Sequence, residues 1–307
     1  MKNQDIALLN KTFSFENENS RIVFRMGAGD IPLIDIQNAQ ASACISLQGA
    51  HLLSWIPEGE DEVIWVSDDA KFAPGKSVRG GIPLCWPWFG AHESNSSFPA
   101  HGFARTVIWQ VTSATAISAN EIQVVFSLDT SQLDERYQEM WPQATIAEYR
   151  LNISHNLKLE LTTFNNSEQP LVVSEALHTY FSIDEIENTQ ISGLEGKTYL
   201  DKTKNFSRQL QNGSISVDTE VDRIYLDTAD DVVINDGKRQ IRIEKQNSQS
   251  TVVWNPWQEV AEKMGDLGKD GYHKMICVES ANAASNVITI NPGMSHTLQV
   301  TYTVDKY

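Results

Sequence analysis

Apolar and polar residues alternate with a period of two through most of this chain, and short turn-forming clusters interrupt the alternation. Residues 122–128 predict one strand, with Ile122, Val124, Phe126 and Leu128 on a single face. Residues 149–154 and 157–164 predict two more around His155-Asn156, with Leu157, Leu159 and Leu161 sharing a face. Asn165-Asn166-Ser167 predicts the next turn, and residues 171–174 the returning strand. Residues 232–235 and 240–244 predict a hairpin around Asp236-Gly237, because Asp-Gly suits a turn with positive φ. Asn212-Gly213 is a second candidate turn, and residues 287–291 and 296–304 predict strands on either side of Pro292-Gly293. Helical periodicity is scarce. Residues 131–140 read as a short helix or a polar loop, and residues 259–264 as a single helical turn. No repeat, low-complexity tract or Pro/Ser linker divides the chain, so residues 1–307 are expected to form a single all-β domain, a large antiparallel sandwich.

Composition narrows the function classes. The 24 basic and 40 acidic side chains leave a net charge of −16, which argues against nucleic acid or an anionic membrane as partner. The same charge repels an anionic small molecule at long range, so a site for one needs a local basic cluster. Cys44, Cys85 and Cys277 sit among apolar residues without metal-ligand spacing, and read as small buried hydrophobes in a reducing compartment. Met1 to Asn10 is too short in apolar length for a signal peptide and holds Asp5. With no run of 18 apolar residues, a cytoplasmic protein is expected.

Three stretches break the alternation. Lys76-Ser77-Val78-Arg79-Gly80-Gly81-Ile82-Pro83-Leu84-Cys85-Trp86-Pro87-Trp88-Phe89-Gly90 combines paired glycines, stiffening prolines and a dense aromatic group. It fits an aromatic wall for the apolar face of a sugar, or a loop plugging the end of a sandwich. Pro99-Ala100-His101-Gly102-Phe103-Ala104-Arg105 aims a His and an Arg into a cleft or is a solvated loop. In the third stretch, which opens with Val253-Trp254-Asn255-Pro256-Trp257, Met275 to Val278 reads as a buried strand with Glu279 at its mouth. A carboxylate there is costly unless paired or used. Strict alternation around His178 places Ala176, His178 and Tyr180 on one face and Leu177, Thr179 and Phe181 on the other. Asp222 either reads a sugar hydroxyl or pairs with Arg223 or another base.

Seven phrases together resemble the glucose-6-phosphate 1-epimerase group of the galactose mutarotase-like superfamily. They are Arg79-Gly80-Gly81-Ile82-Pro83, Trp86-Pro87-Trp88-Phe89-Gly90, His101-Gly102-Phe103-Ala104-Arg105, Ala176-Leu177-His178, Val221-Asp222-Arg223-Ile224-Tyr225, Trp254-Asn255-Pro256-Trp257 and Cys277-Val278-Glu279, in the family's order between residues 48 and 285. The resemblance implies a β-sandwich with an open cleft on one sheet, few short helices, and no metal or organic cofactor. It implies that His178 and Glu279 are the catalytic acid and base acting across a sugar ring. It further implies that Arg79 and Arg105 meet a substrate phosphate, and that Asp222, with His101 and Trp254 of the same phrases, contacts substrate. The expected partner is a small phosphosugar and the expected state a monomer. Some relatives carry a substrate-contacting Gln where this chain has Ala100, which leaves the sugar open. A mutarotase of unphosphorylated aldoses and a non-catalytic carbohydrate-binding protein remain alternatives. A glycoside hydrolase is disfavoured, because that chemistry needs two carboxylates where these phrases offer a His and a Glu.

Overall fold

The structure, a computed structural model, describes residues 5–306. Among them the strands form sheets of five, nine, eight and two members, every ladder antiparallel. The nine-stranded sheet is the source of the clear alternation. Thr145–Ile153 and Leu157–Asn165 pair along their whole length, and Ser295–Lys306 lies on the far side of Leu157–Asn165. Leu157, Leu159 and Leu161 point inward with Leu298, Val300 and Tyr302. The eight-stranded sheet runs Ser207–Leu210, Thr198–Asp201, Val221–Leu226, Ser250–Asn255, Met275–Asn282, Glu175–Leu177 and Leu84–Cys85, with Tyr180–Ser182 also on Met275–Asn282.

These two large sheets bury their inner faces against each other. Leu177, Phe181, Ile276 and Val278 from one join Leu159, Leu161 and Tyr302 from the other in a common core. The Phe181 and Tyr302 rings meet edge to face at 5.0 Å, and the Thr179 and Tyr302 hydroxyls are hydrogen-bonded at 2.6 Å. The latter satisfies two buried polar groups that would otherwise weaken the seam. The five-stranded sheet, Phe15–Glu16 through His51–Pro57, adds Ile22, Phe24, Ile34, Ile36, Ile45 and Trp55 to this core.

Several local outcomes differ from the sequence expectation. The 131–140 stretch resolves into a 3-10 turn, Thr130–Gln132, and a helix, Glu135–Met140. The single turn expected at 259–264 is a longer helix, Trp257–Met264. A helix over Ile6–Phe13 is not foreseen by the residue pattern; Asp5 caps it by accepting from the Ala7 and Leu8 amides. Met1–Gln4, part of the segment too short for a signal peptide, lie outside the described residues. The Asn212-Gly213 turn closes no hairpin: it carries the chain from Ser207–Leu210 in the eight-stranded sheet to Ile215–Ser216 in the nine-stranded one. The Val232–Asn235 hairpin forms, closed by Asp236 and Arg239, and the Asp236 carboxylate accepts from the Lys238 and Arg239 amides. Cys85 and Cys277 are buried and Cys44 is half-buried. No helix among the described residues is long and apolar enough to cross a membrane.

Candidate active site

The eight-stranded sheet is covered on both faces along Met275–Asn282, where every residue is buried, and a cavity of about 300 Å³ opens on its outer side. Strand register explains which side chains reach it. Leu177 faces Ser280 and Tyr180 faces Cys277, so the register carries His178 to a position opposite Glu279. His178 and Thr179 fall in a break between Glu175–Leu177 and Tyr180–Ser182, where the His178 amide donates to the Pro83 carbonyl at 3.1 Å. One row across the sheet therefore reads Tyr180, Cys277, Trp254, Asp222, and the next reads His178, Glu279, Val252, Ile224. Side chains opposite each other on one face approach closely. His178 Nε2 stands 3.3 Å from Glu279 Oε1. The pair is in contact, closer than an acid and a base on opposite sides of a ring.

Burial sets the electrostatics of this pair. Glu279 is 2 % exposed and its Oε2 has no hydrogen-bond partner. Burial pushes its carboxyl well above the ordinary range, the charge of Asp222 adds to this, and Lys202 and Arg105 hold it back. His178 moves the opposite way: burial holds the imidazole well below its usual value, reinforced by His101, Arg105 and Arg79. Both groups are thus biased toward their neutral forms. The Tyr180 ring stacks on His178 at 5.0 Å, and Trp254 meets both edge-on, at 6.2 Å from His178 and 5.9 Å from Tyr180. These contacts fix the imidazole plane.

The two glycine-bearing loops supply the opposite wall. At Gly81, with φ of 71°, an added Cβ would lie 2.3 Å from His51 Nε2. At Gly102, with φ of 69°, it would lie 2.0 Å from the Trp86 carbonyl oxygen. Only glycine permits both the turn and the close approach. The aromatic group divides in function. Trp86 and Trp88 are core residues whose indole N–H groups donate to Thr163 Oγ1 and the Pro99 carbonyl, each at 2.9 Å. Of the three, only Phe89 lines the cavity. His101 packs edge-on against Phe89 at 4.8 Å, and its Nδ1 accepts from the Gly90 amide at 3.3 Å. That bond places the ring proton on Nε2. Burial, with Arg105 adding to it, lowers the His101 pKa to about 3.

All seven residues singled out from the sequence, Arg79, His101, Arg105, His178, Asp222, Trp254 and Glu279, line this one cavity. Their charges are partly engaged. Arg79 is paired with Asp266 at 3.0 Å. Asp222 is paired at 2.6 Å with Lys202, not with Arg223, whose guanidinium lies over the Tyr199 ring. Arg105 Nη2 donates to the Ala100 carbonyl at 2.9 Å, so the backbone of Ala100, and not its side chain, takes part. Sequence reasoning missed Lys202, Tyr180 and Asp266. The one signal for Lys202 lay in the Thr198–Asp201 strand: Asp201 faces Arg223, and extending that register by one residue brings Lys202 to Asp222.

An antiparallel β-sandwich with an enclosed His/Glu pair beside an aromatic wall and three cations defines a site for a small polar ligand. A family model described as aldose 1-epimerase matches residues 32–303, and the chain belongs to that family. A relative from Escherichia coli K12, named "Putative glucose-6-phosphate 1-epimerase", is 36% identical over 270 residues, covering 86% of this chain and 88% of its own length. The crystal structure of a mutarotase from Salmonella typhimurium, itself described as putative, superposes with a TM-score of 0.86 at 30% identity, covering 98% of this chain and 99% of that one. A galactose mutarotase-like protein from Clostridium acetobutylicum, at 15% identity, has the same fold with a TM-score of 0.73, over 95% of this chain and 100% of its own.

Proposed function

We propose that this chain interconverts the α and β anomers of a hexose 6-phosphate, with glucose 6-phosphate as the first candidate. The observation that carries the proposal is the contact of His178 Nε2 with Glu279 Oε1, 3.3 Å apart on the wall of a cavity that also holds Arg79, Arg105 and Lys202. In a cyclic sugar the hydroxyl to be deprotonated and the ring oxygen to be protonated are bonded to the same carbon. An acid and a base only a few ångströms apart address both at once. Glu279 takes the C1 hydroxyl proton, His178 gives a proton to the ring oxygen, and the C1–O5 bond breaks to leave an aldehyde. Rotation about C1–C2 presents the other carbonyl face, and closure returns both protons.

Burial favours this sequence. The reactive pair is a carboxylate beside an imidazolium, and the two transfers convert it into two neutral groups. A desolvated site stabilises those neutral groups relative to the ion pair. The open-chain form, scarce in water, is thereby bound opposite the preferred protonation state of the pair. Arg79 and Arg105 supply donors suited to phosphate oxygens. The names of the relatives at 32–36% identity point to the same substrate class.

A mutarotase of free aldoses is the competing reading, favoured by the engagement of Arg79 with Asp266 and of Lys202 with Asp222. Exchange NMR on α/β glucose 6-phosphate beside free glucose decides between them. The expected result is faster anomer exchange for the phosphorylated sugar, with Arg79→Ala reducing that preference by about tenfold or more. Equal rates for both sugars reject the phosphate assignment; no enzyme-dependent exchange for either rejects the epimerase reading.

A further inference from the structure

Arg79 reaches the cavity with three of its five N–H groups already committed. Nε donates to Asp266 Oδ1 at 3.0 Å and Nη2 to Asp266 Oδ2 at 3.4 Å, so the carboxylate occupies the side fork of the guanidinium. Nη1 donates to the Tyr180 hydroxyl at 3.1 Å. One hydrogen remains on each of Nη1 and Nη2. Both partners are themselves held. Tyr180 is 3 % exposed and stacked on His178. Asp266 follows Gly265, which ends the helix Trp257–Met264 in the left-handed region, and precedes Leu267, buried with Ala261 and Tyr272. Met264, at the end of that helix, lines the cavity with Arg79. Burial works against the guanidinium charge, while Tyr180 and Asp266 more than restore it.

We propose that Asp266 is a positioning residue that, together with Tyr180, aims the two remaining N–H groups of Arg79 at the anionic group of the substrate. The proposal rests on the hexose-phosphate reading above and assigns a specificity role to a loop outside the seven family phrases. A free arginine side chain samples many rotamers, and a guanidinium clamped on two edges presents its third in one direction. The opposite role is physically distinct: a carboxylate that merely occupied Arg79 would compete with substrate.

Steady-state kinetics on glucose 6-phosphate separates the two roles. D266N is expected to raise KM about tenfold while kcat falls no more than about twofold, because the chemistry at C1 is remote from the lost contact. In an R79A background D266N should add nothing further, since its effect passes through the missing guanidinium. An unchanged or lower KM in D266N overturns the proposal, and so does an equal loss in the R79A background. If D266N melts well below the parent, Y180F provides an independent test: it keeps the stacked ring and removes only the hydroxyl, and should raise KM by about threefold. An unaltered KM in Y180F then overturns the proposal. R79A alone distinguishes the failures. If it leaves KM unchanged, the phosphate reading falls; if it raises KM while D266N does not, that reading stands and the role of Asp266 falls.

Discussion

Two strands that feed the same core, one from each large sheet, show how differently one fold uses its surfaces. Leu157–Asn165 buries every second residue, and its outer face carries Lys158 and Glu160, ion-paired at 3.1 Å, and the Thr162 hydroxyl bonded to Thr297 at 2.9 Å. Met275–Asn282 is buried at all eight positions. Its inner side chains, Ile276 and Val278, do the same work as Leu159 and Leu161. Of its outer ones, Cys277 is buried in an apolar cluster with Tyr180 and Met275, and Glu279, 2 % exposed, lines the cavity. One-sided burial yields a stable seam with a solvated back. Two-sided burial yields a place where a carboxyl and an imidazole are both forced toward neutrality, the bias on which the proposed proton transfers depend.

The largest effects should follow that division. Glu279→Gln and His178→Ala are each expected to reduce anomer exchange by about 10²- to 10⁴-fold. Melting should stay near the parent value, because neither removes core volume between the sheets. Full exchange by either variant would break the contrast at its functional end. Leu159→Ala, on the opposite strand, should cost about 2–5 kcal/mol of stability through lost burial and a residual cavity. Exchange per folded molecule should remain within about twofold of the parent. Denaturant unfolding paired with exchange NMR checks both quantities. A loss of activity in Leu159→Ala comparable to that in Glu279→Gln would show that the two faces are not separable.

The same contrast governs what could be read from the sequence. Where one face is solvated, alternation is written into the residues: the strands over 122–128 and 157–164 emerge close to their observed bounds, while the one expected over 149–154 begins earlier, at Thr145, and ends at Ile153. Where both faces are covered, the period disappears. Met275 to Val278 reads as a short buried strand with Glu279 at its mouth, yet the strand runs on through Ser280 and Asn282. Those polar residues hide the continuation. Asn282 is buried because its amide donates to Glu175 Oε1 at 3.1 Å and to the Asn247 carbonyl at 2.8 Å, contacts no local pattern announces. The seven candidates that line the cavity are found through ordered phrases, not through periodicity. Lys202, Tyr180 and Asp266 lie outside that net: all three are partners of charged residues and acquire meaning only once register and loop geometry join them. The helix Ile6–Phe13 escapes for another reason. Asp5 counts in the sequence as a charge against a leader peptide, whereas its structural role is to cap a helix.

A pH-dependent effect measures how dry the covered side is. His51 is 1 % exposed and its Nε2 lies 2.8 Å from the Gly80 carbonyl, bracing the loop that carries Arg79. Burial lowers its pKa from the usual 6.5 to about 4, although the Gly80 carbonyl pulls the other way. In the unfolded chain this imidazole binds a proton near pH 6.5; in the fold it does not until about pH 4. Below about 6.5 the unfolded state therefore holds the extra proton, and stability falls as pH falls. Each such histidine contributes a slope of about 1.4 kcal/mol per pH unit, saturating once the pH drops below the folded value. His101 and His178 are shifted in the same direction, while Glu62 and Glu279, raised by burial, oppose them by favouring the protonated fold at low pH. The net curve mixes these contributions, so the clean observable is a difference. His51→Gln keeps an N–H for the Gly80 carbonyl and removes the titration. Its stability deficit relative to the parent should be greatest at about pH 7 and shrink steadily toward about pH 4.5. A deficit that stays constant across that range would mean that His51 takes up its proton equally well folded and unfolded. The wall behind Arg79 would then be wet, and the distinction between the covered and solvated faces would have to be withdrawn on that side of the cavity.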